Sequence, residues 1–418
     1  MKIIELTQTQ YRNYSNIHNY RNIGQTIEFS MISSNINKRK LFLGLIDDSN
    51  NLHAAALILV NNINPTVKEA LAPNGFLIDY ANYSLVKTFT EELKKYLHKE
   101  RITYLITNPM YKHKVYNKKN ILIENNESIL NNLYLLGYNS IGYTSDFEKY
   151  DVIINNNLSY NDIFKNFNRN TKRNIKEGLN YGITLHKGTS KDLESVYNIF
   201  KKKTTNKLSY YDNLLNIYNN RDNKMEIFLA KLNPHTYLVK SKKLYEEELK
   251  KNEHIHETFN KHLGHINESL LNKKIISDKT LEKYSQNLNR AIEVNRLYKD
   301  DIVIGTSIII KNNHEIYFLI DGYKEEYRLI HSTHILKWAI IKKYSSLGYH
   351  IFNLGEINKN YLDKSSKYRG QYMYKIGFGG NIIEYPPNLL LVINHPIYNA
   401  YTKLKSFKLL KNIINKKR

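Results

Sequence analysis

The residues from 238 to 299 have the spacing of two long helices that fold back on each other. The first half shows alternating steps of four and three, as in a heptad seam: Tyr245, Leu249, Asn252, His256, Phe259, Leu263, Ile266 and Leu270. The second half repeats this spacing at Leu281, Tyr284, Leu288, Ala291, Asn295 and Tyr298. We place the reversal at 272–280. The pattern predicts an antiparallel helical arm that projects about 40 Å at 1.5 Å per residue.

Two roles for such an arm stay open. One is contact with a large, elongated substrate such as transfer RNA, and the other is a structural or dimerising hairpin. The chain has 62 Lys and Arg against 39 Asp and Glu, a net charge of +23, which favours nucleic acid or an anionic membrane as partner. Abundant Lys, Asn, Ile and Tyr are also typical of an AT-rich coding bias, so the charge only supports the first role.

The chain has no cysteine, which excludes disulfides, thiolate nucleophiles and Cys-ligated metals and indicates a reducing cytoplasm. No secretory signal is apparent, and the longest apolar run, 54–60, has the length of a buried strand. Beyond Glu384 there is no acidic residue, and the tail at 401–418 alternates basic and apolar residues. This tail predicts either a helix on an anionic membrane surface or a terminal helix packed on the body. We therefore expect a cytoplasmic protein, with peripheral membrane contact as an open alternative.

The same order of α/β elements occurs twice. The first copy has strands at 41–47 and 53–61, a helix at 85–99 and a strand at 102–107. The second copy has strands at 302–310 and 315–321, a helix at 333–346 and a strand at 349–354. The repetition predicts two sister domains, each a mixed sheet with helices on its faces. The predicted division is 1–150 for the first domain, 151–237 and 300–400 for the second, 238–299 for the arm and 401–418 for the tail.

A row of cations precedes the second copy. Arg169, Lys172, Arg173 and Lys176 fall at i, i+3, i+4 and i+7, which places them on one face of a helix. Such a row can follow the phosphates of a polyanion or clamp a pyrophosphate. A solvated helix face in a Lys-rich protein would look the same, so both interpretations stand.

Lys375 lies in a glycine-rich stretch at 368–380, directly after Tyr374. The glycines allow the backbone to approach a ligand closely, and the aromatic ring would fix one side of the ammonium. A positioned cation can stabilise the oxyanion that forms when an ester is attacked. A turn-rich loop without chemistry is the alternative.

Two carboxylates stand where predicted strands end. Glu356 follows the strand at 349–354, and Asp321 closes the strand at 315–321. Ligands of α/β folds commonly bind at strand ends, so either residue could orient or deprotonate an attacking amine. Each could also be a turn residue or a helix cap. The histidines have no acidic or Cys partner at ligand spacing, so we predict no metal site.

Five segments, taken in order, resemble the FemABX family of peptidyltransferases, which add amino acids from aminoacyl-tRNA to the stem peptide of peptidoglycan precursors. They are Ala-Pro-Asn-Gly-Phe-Leu-Ile-Asp-Tyr at 72–80, Ile-Thr-Asn-Pro at 106–109, the basic stretch at 169–182, Gly-Tyr-His-Ile-Phe-Asn-Leu-Gly at 348–355 and Tyr-Lys-Ile-Gly-Phe-Gly-Gly at 374–380. Their order, together with the arm, carries the resemblance. One departure is Asn353, which stands where the family commonly has Asp.

The resemblance implies an α/β fold of two acetyltransferase-like (GNAT) domains with an antiparallel coiled-coil arm inserted in the second. This arm is similar to the tRNA-gripping arm of seryl-tRNA synthetase. The implied reaction is an ester-to-amide exchange between aminoacyl-tRNA and the stem-peptide amine, or a growing bridge, of lipid II or a UDP-linked muramyl peptide. The ester supplies the free energy, so the resemblance implies no cofactor and no metal.

The resemblance also implies roles for single residues. Lys375 matches the family's lysine after an aromatic residue and is expected to stabilise the oxyanion. The proton-handling role of Glu356 or Asp321 is our own inference and no family rule. Binding of tRNA phosphates or of the precursor is expected from the basic helix, the segment around Lys375 and the loop at 73–80, and these candidates are Arg169, Lys172, Arg173, Tyr374, Arg369, Asn353, Asp79 and Tyr80.

Three alternatives remain. An acyl-CoA-dependent N-acetyltransferase would share the fold, but neither half contains its pyrophosphate-binding Arg/Gln-x-x-Gly-x-Gly/Ala loop after the fourth strand. A non-catalytic tRNA- or membrane-binding adaptor would use the arm and the basic face without chemistry. An aminoacyltransferase acting on a lipid or protein amine would keep the mechanism and change the acceptor. The sequence indicates neither the donor amino acid nor the oligomeric state.

Overall fold

The computed structural model describes residues 1–32, 37–145, 149–155, 159–219, 224–262 and 267–416, with side chains up to residue 405. It confirms a mixed α/β fold. The strands are β1 Lys2–Glu5, β2 Arg39–Ile46, β3 Leu52–Asn62, β4 Lys68–Ala72, β5 Tyr104–Thr107, β6 Lys114–Tyr116, β7 Leu122–Asn125, β8 Tyr138–Gly142, β9 Tyr150–Asn155, β10 Ile183–Lys187, β11 Met225–Leu232, β12 Ile302–Asn312, β13 Glu315–Tyr323, β14 Ile351–Ile357, β15 Asn381–Glu384 and β16 Asn388–Val392. The helices are α1 Gln8–Ile17, α2 Ile27–Met31, α3 Tyr83–Lys99, α4 Glu127–Leu135, α5 Tyr160–Asn166, α6 Arg169–Asn180, α7 Leu193–Phe200, α8 Leu208–Asn219, α9 Pro234–Lys261, α10 Glu268–Leu297, α11 Ser332–Ser345, α12 Arg369–Ile376 and α13 His395–Lys416.

Two sheets organise the molecule. The strand order is β1-β2-β3-β4-β5-β16-β8 in the first sheet and β10-β11-β12-β13-β14-β9-β15-β6-β7 in the second. Each sheet is antiparallel except for one central parallel pair, β4 with β5 and β13 with β14. A parallel pair needs a crossover connection, and helices α3 and α11 supply it. The two sheets therefore repeat one arrangement of five strands and a helix.

The predicted alignment of the two copies is shifted by one strand from the alignment in the structure. The prediction matched the hairpin β2–β3 with β12–β13, whereas the strand orders match it with β11–β12. The prediction missed β4, whose five residues open with the charged pair Lys68 and Glu69 and give little apolar signal. The duplication itself is present in the two strand orders.

Sheet membership also does not follow the predicted domain division, which placed 1–150 in the first domain and 300–400 in the second. Strands β6 and β7 belong to the second sheet, although they precede residue 150. Strand β16 returns to the first sheet and lies between β5 and β8. The prediction assumed that strands near in sequence share a sheet, and long-range pairing overrides this assumption here. The two sheets are therefore built from interleaved stretches of chain.

Helices α9 and α10 form the inserted arm. The side chain of Asn252 donates to Ser277 Oγ at 3.0 Å, and the hydroxyl of Tyr237 donates to the carbonyl of Asn287 at 3.3 Å. The partner numbers fall in one helix as they rise in the other, so the pair is antiparallel. Helix α9 has 28 residues, a length of about 42 Å. The arm lies between β11 and β12, as the sequence predicted.

The predicted reversal at 272–280 is wrong, because α10 runs through this stretch. Helix α9 ends at Lys261 and α10 begins at Glu268. The seam positions Leu263 and Ile266 lie outside the described residues. The side chain of Asn267 accepts a hydrogen bond from the backbone N–H of Leu270 at 2.8 Å. This N-cap starts α10 earlier than the seam suggested.

Candidate active site

The parallel strands β13 and β14 part after a short pairing. Their register extends only from Glu315 with Ile351 to Tyr317 with Asn353. Two residues later Gly355 adopts a φ of +86°, a conformation that side-chain-bearing residues rarely take. The sheet therefore has a gap at its centre, on the carboxyl side of this pairing.

Lys375 occupies this gap. Its Nζ donates a hydrogen bond to the backbone carbonyl of Glu356 at 2.7 Å. A Cβ atom added to Gly355 would lie 3.0 Å from Lys375 Nζ and 3.5 Å from the carbonyl oxygen of Phe318. Glycine at this position thus leaves the space that the ammonium fills.

Helix α12 aims Lys375 into the gap. It buries Tyr372 and Ile376, and Lys375 lies in its last turn. The hydroxyl of the preceding Tyr374 donates to the carbonyl of Thr333 on α11 at 3.1 Å. The burial of Tyr372 and Ile376 and the bond from Tyr374 to α11 fix the position of α12. They hold Lys375 with its ammonium in the gap between β13 and β14.

The glycines after Lys375 pack against protein. A Cβ on Gly377 would collide with the hydroxyl of Thr171, and one on Gly379 would lie 2.6 Å from the carbonyl of Asn166. The backbone of Asn168 donates to the Gly377 carbonyl at 2.8 Å. The sequence predicted close approach of this backbone to a ligand, and in the structure the close neighbours of these two glycines are Asn166 at the end of α5 and Thr171 in α6.

The surroundings of Lys375 shift its pKa. Burial lowers this pKa most, the positive charge of Lys337 lowers it further, and the charges of Asp151, Asp321 and Glu356 raise it in part. The result is a pKa of about 8. Lys375 therefore stays mostly protonated at neutral pH and loses its charge above pH 8.

Asp321 pairs with a buried lysine that sequence reasoning missed. Lys337 on α11 is fully buried, with its Nζ 2.8 Å from Asp321 Oδ2 and 3.6 Å from the centre of the Phe318 ring. Ser307 Oγ donates to Asp321 Oδ1 at 2.6 Å. The signal was a single Lys inside the apolar run 335–341, Ile-Leu-Lys-Trp-Ala-Ile-Ile, where a charge needs a partner.

These contacts keep Asp321 ionised. Burial raises the pKa of Asp321, but Lys337 and Ser307 lower it by more, so it lies below its ordinary value. Burial likewise lowers the pKa of Lys337, and Asp321 opposes this effect. A carboxylate with a lowered pKa and two partners is a poor proton acceptor. The geometry favours Asp321 as the holder of Lys337 over the proton-handling role that we expected from its sequence position.

A cavity of about 230 Å³ adjoins the gap. Glu356 and Asn353 line it from β14, and Asp151 and Glu315 line it from β9 and β13. The opposite wall comes from loops of the first sheet and includes Asn74. The cavity thus lies between the two sheets and shares Glu356 with the surroundings of Lys375.

Asn353 connects the cavity wall to the gap. Its Nδ2 donates to Asp151 Oδ2 at 3.0 Å, and its Oδ1 accepts from the backbone N–H of Gly355 at 2.8 Å. The hydroxyl of Tyr385 also donates to Asp151 Oδ2, at 3.2 Å. An amide at 353 can do both because it is donor and acceptor at once, whereas an ionised Asp could only accept.

Asp151 and Glu315 have unusual acidities. Burial raises the pKa of Asp151, with Asn353, Lys375 and Tyr385 opposing in part. Burial and the charge of Asp151 raise the pKa of Glu315 to about 7. Sequence reasoning missed both residues, since each is a lone acid in an otherwise ordinary strand and only the tertiary fold brings them to one cavity.

Helix α6 presents the predicted basic face. Thr171, Ile175 and Gly178 are buried, and this leaves Arg169, Arg173 and Lys176 exposed. Lys172 is partly buried, with its Nζ donating to the carbonyl of Lys165 at 2.7 Å and lying 5.7 Å from the Phe164 ring centre. Three of the four cations therefore face solvent, and Lys172 is engaged within the protein.

The remaining candidates hold loops. Tyr80 is buried, and its hydroxyl accepts from the backbone N–H of Phe76 at 2.7 Å. Asp79 is exposed and accepts from the N–H of Ala81 at 3.0 Å. In the part of the chain that the structure describes, neither side chain lines the cavity, and their expected contact with the precursor stays a prediction. The Tyr80 ring is buried in the protein, and the Asp79 carboxylate is held in a local turn by Ala81.

Arg369 is also engaged internally. Its Nη1 donates to the carbonyl of Tyr361 at 2.9 Å, and its guanidinium lies 5.2 Å from the Tyr372 ring centre. These contacts tie the loop before α12 to the helix, so Arg369 positions the helix that carries Lys375. Its expected contact with substrate stays a prediction.

The described ranges contain neither a metal-binding cluster nor a membrane span. Among these residues, no group of three or more His, Asp or Glu is placed to hold a metal ion. Within the same ranges, no helix has both the length and the apolar character that crossing a bilayer requires.

Comparisons with known proteins agree with this architecture. The model of the FemAB family matches residues 6–406. Aminoacyltransferase FemA of Staphylococcus epidermidis is 24% identical over 426 residues, covering 98% of this chain and 100% of that protein. Aminoacyltransferase FemA of Staphylococcus aureus is 24% identical over 425 residues, covering 98% and 99%. The crystal structure of FemX shares the fold, with a TM-score of 0.72 at 16% identity, covering 96% of this chain and 99% of that one. The chain therefore belongs to the FemAB family.

Proposed function

We propose that this protein is an aminoacyltransferase that moves an amino acid from aminoacyl-tRNA to a primary amine of a peptidoglycan precursor, lipid II or a UDP-linked muramyl peptide. Family membership and the FemA relatives, which are named aminoacyltransferases, support the transferase class. The observation that carries the proposal is the ammonium of Lys375, held by the Glu356 carbonyl in the gap between β13 and β14.

The reaction needs a cation at this point. The amine of the acceptor attacks the ester carbonyl of the charged tRNA, a C–N bond forms, and negative charge develops on the carbonyl oxygen. A preorganised positive group stabilises this oxyanion, and removal of one such group costs about 10²–10³ in rate. Lys375, with its pKa of about 8, carries that charge at neutral pH.

The tRNA would contact the basic and projecting parts of the molecule. The exposed Arg169, Arg173 and Lys176 on α6 suit a phosphate backbone. Helix α10 is joined to α6 by a salt bridge between Lys283 and Glu177 and by a hydrogen bond from Asn287 to the Tyr181 hydroxyl at 2.6 Å. The arm and the basic helix therefore form one connected surface for an elongated partner.

The precursor would enter from the cavity side, where loops of the first sheet and the second sheet meet. We also propose peripheral contact of the C-terminal helix α13 with the inner face of the membrane, where lipid-linked precursor is found. The basic residues of this segment support that contact. Co-sedimentation with anionic vesicles, with and without residues 401–418, tests it.

The main rival is an adaptor that binds tRNA without chemistry. A transfer assay with a radiolabelled pool of charged tRNAs and lipid-linked or UDP-linked precursor decides between them. We expect transfer by the wild type, a loss of about 10²–10³ in Lys375→Met, and nearly unchanged tRNA binding in that variant. The exposed Lys367 supplies the control, since Lys367→Met removes the same charge from the loop before α12.

Two outcomes would overturn the proposal. The first is that no residue is transferred to any precursor although tRNA binds, which supports the adaptor. The second is that acetyl-CoA serves as donor with a free amine while aminoacyl-tRNA does not, which supports the N-acetyltransferase.

A further inference from the structure

Lys337 is a buried cation next to the strand that borders the gap. Its side chain is fully buried, and its Nζ lies 2.8 Å from Asp321 Oδ2. A buried ion pair can often be replaced by apolar side chains of similar volume with no loss of stability. Stability alone therefore does not explain why a charge stands inside the apolar run 335–341.

The ammonium of Lys337 interacts with both elements that surround Lys375. Its Nζ lies 3.6 Å from the centre of the Phe318 ring on β13 and 5.7 Å from the centre of the Tyr374 ring on α12. The faces of both rings attract a cation. The carbonyl oxygen of Phe318 lies across the gap from Gly355, 3.5 Å from the position of an added Cβ. Lys337 thus connects the strand beside the gap with the helix that carries Lys375.

We propose that Lys337 is a positioning residue for the transfer reaction. Its ammonium, held by Asp321, fixes the Tyr374 ring against β13 and so directs the next side chain of α12 into the gap. The same ammonium adds a second positive charge near the place where the oxyanion forms. This inference rests on the proposed function. It gives Lys337 a role that neither the family resemblance nor our sequence analysis named.

The acidity of Lys375 supports this role. Burial lowers the pKa of Lys375 most, and the charge of Lys337 is the next largest cause. Asp321 raises the same pKa, but by less. On balance the pair therefore makes the Lys375 ammonium more acidic. A more acidic donor gives a stronger hydrogen bond to a developing negative charge.

Other ionisable groups face this cluster and stay in place when the pair is removed. They are Asp151 and Glu356 near Lys375, His334 and Tyr374 near Lys337, and Lys203, whose Nζ donates to the backbone carbonyl of Asp321 at 3.3 Å. Burial, followed by the charges of His331 and Lys337, lowers the pKa of His334 to about 3. Burial raises the pKa of Tyr374 well above its ordinary value. Both side chains are therefore neutral at physiological pH.

The first test removes the pair as a unit. Lys337→Met combined with Asp321→Asn leaves no unpaired charge, so we expect the double variant to fold. We expect its kcat for transfer to fall about 10- to 100-fold, because a small misplacement of a catalytic group is costly. The KM values for aminoacyl-tRNA and for the precursor should stay nearly unchanged, since neither residue lines the cavity in the described part of the chain.

The second test measures the acidity of Lys375 without any reaction. Competitive labelling with isotopic acetic anhydride, read by peptide mass spectrometry over a range of pH, gives the pH at which Lys375 loses its proton. We expect about 8 in the wild type. The double variant should have a higher midpoint, because the pair lowers this pKa on balance. A role limited to packing would leave the midpoint in place.

A matched control removes another ion pair of the same sheet. Lys311 Nζ on β12 lies 2.9 Å from Glu226 Oε1 on β11. Lys311→Met combined with Glu226→Gln should keep both kcat and the labelling midpoint of Lys375. Circular dichroism establishes folding of each variant.

A single variant keeps the test decisive if the double variant does not fold. Asp321 has a side chain that is 17% exposed, so Asp321→Asn is the milder change. Burial lowers the pKa of Lys337, and Asp321 opposes this effect, so Asp321→Asn favours the neutral form of Lys337. We expect kcat to fall in this variant as well.

The outcomes separate this inference from the proposed function. Transfer by the wild type, with an unchanged kcat in the folded variants, would overturn the inference and retain the transferase. A lower kcat with an unchanged labelling midpoint would also overturn it, because the pair would then act through packing alone. A raised midpoint without transfer by any form would reject the transferase and leave Lys337 as the residue that sets the acidity of Lys375.

Discussion

The two sheets differ in what fills the space where their central parallel strands separate. In each, a parallel pair at the centre parts at its carboxyl end. In the first sheet the ends of β4 and β5 are bridged by amides: Asn108 Oδ1 accepts from the backbone of Asn74 at 2.7 Å, and Asn108 Nδ2 donates to Asn74 Oδ1 at 3.0 Å. In the second sheet the gap holds the ammonium of Lys375.

The connections between equivalent strands also differ between the two sheets. A short turn at 47–51 joins β2 to β3, whereas the whole arm joins β11 to β12 at the equivalent position. The first sheet has thus kept a closed, neutral centre and offers a wall to the cavity through Asn74. The second sheet carries the charge and the projecting surface. We infer that chemistry and RNA contact belong to the second sheet and that the first sheet shapes the acceptor side.

The largest effect is expected when the buried charge of Lys337, near the gap in the second sheet, is removed. Lys337→Met leaves Asp321 buried without its partner, which typically destabilises a protein by about 3–5 kcal/mol. Chemical denaturation measures this loss. The double variant with Asp321→Asn should recover much of it, because no unpaired charge remains. Equal stability of the single and double variants would show that the pair is uncoupled.

Next is the arm. Deleting 249–262 and 267–280 removes two heptads from each helix and keeps the root, including Tyr237 and Asn287. We expect the KM for aminoacyl-tRNA to rise about tenfold, because the distal arm can then no longer bind phosphates of the tRNA. The KM for the peptidoglycan precursor should not change, which serves as the internal control. An unaltered KM for tRNA would support the structural role of the arm.

The pH dependence of transfer tests the cation in the gap. Lys375 has a pKa lowered to about 8, so its charge is present below pH 8 and is lost above it. Lys375→Arg keeps its charge throughout. The ratio of wild-type to variant rate, each corrected for ester hydrolysis without protein, should therefore fall about tenfold per pH unit above 8. Parallel profiles between pH 7 and 10 would contradict a role for this charge.

The smallest effect is expected in the first sheet. Asn108→Ala removes both amide contacts with Asn74 and should cost about 1 kcal/mol of unfolding free energy, because each neutral hydrogen bond contributes little on balance. Transfer should fall less than threefold under saturating substrates. A loss comparable to that of Lys375→Met would mean that the first gap also takes part in chemistry.

The sequence predicted what depends on local spacing. The heptad spacing revealed the arm, the spacing of the cations revealed helix α6, and the aromatic residue before Lys375 singled out this lysine. The prediction failed where pairing is non-local: β4 has too few apolar residues to stand out, and nothing near β16 indicates that it returns to the first sheet. Lys337, Asp151 and Glu315 were missed for the same reason, since their burial and their neighbours arise only when distant strands meet.

The place of β16 has a consequence for how this protein is made. Because β16 lies between β5 and β8, the first sheet stays split until residue 392 has left the ribosome. Domains commonly fold one after another during synthesis, starting from the N-terminus. In this chain the first sheet cannot be completed before β16 is synthesised. The two sheets therefore complete their folding together.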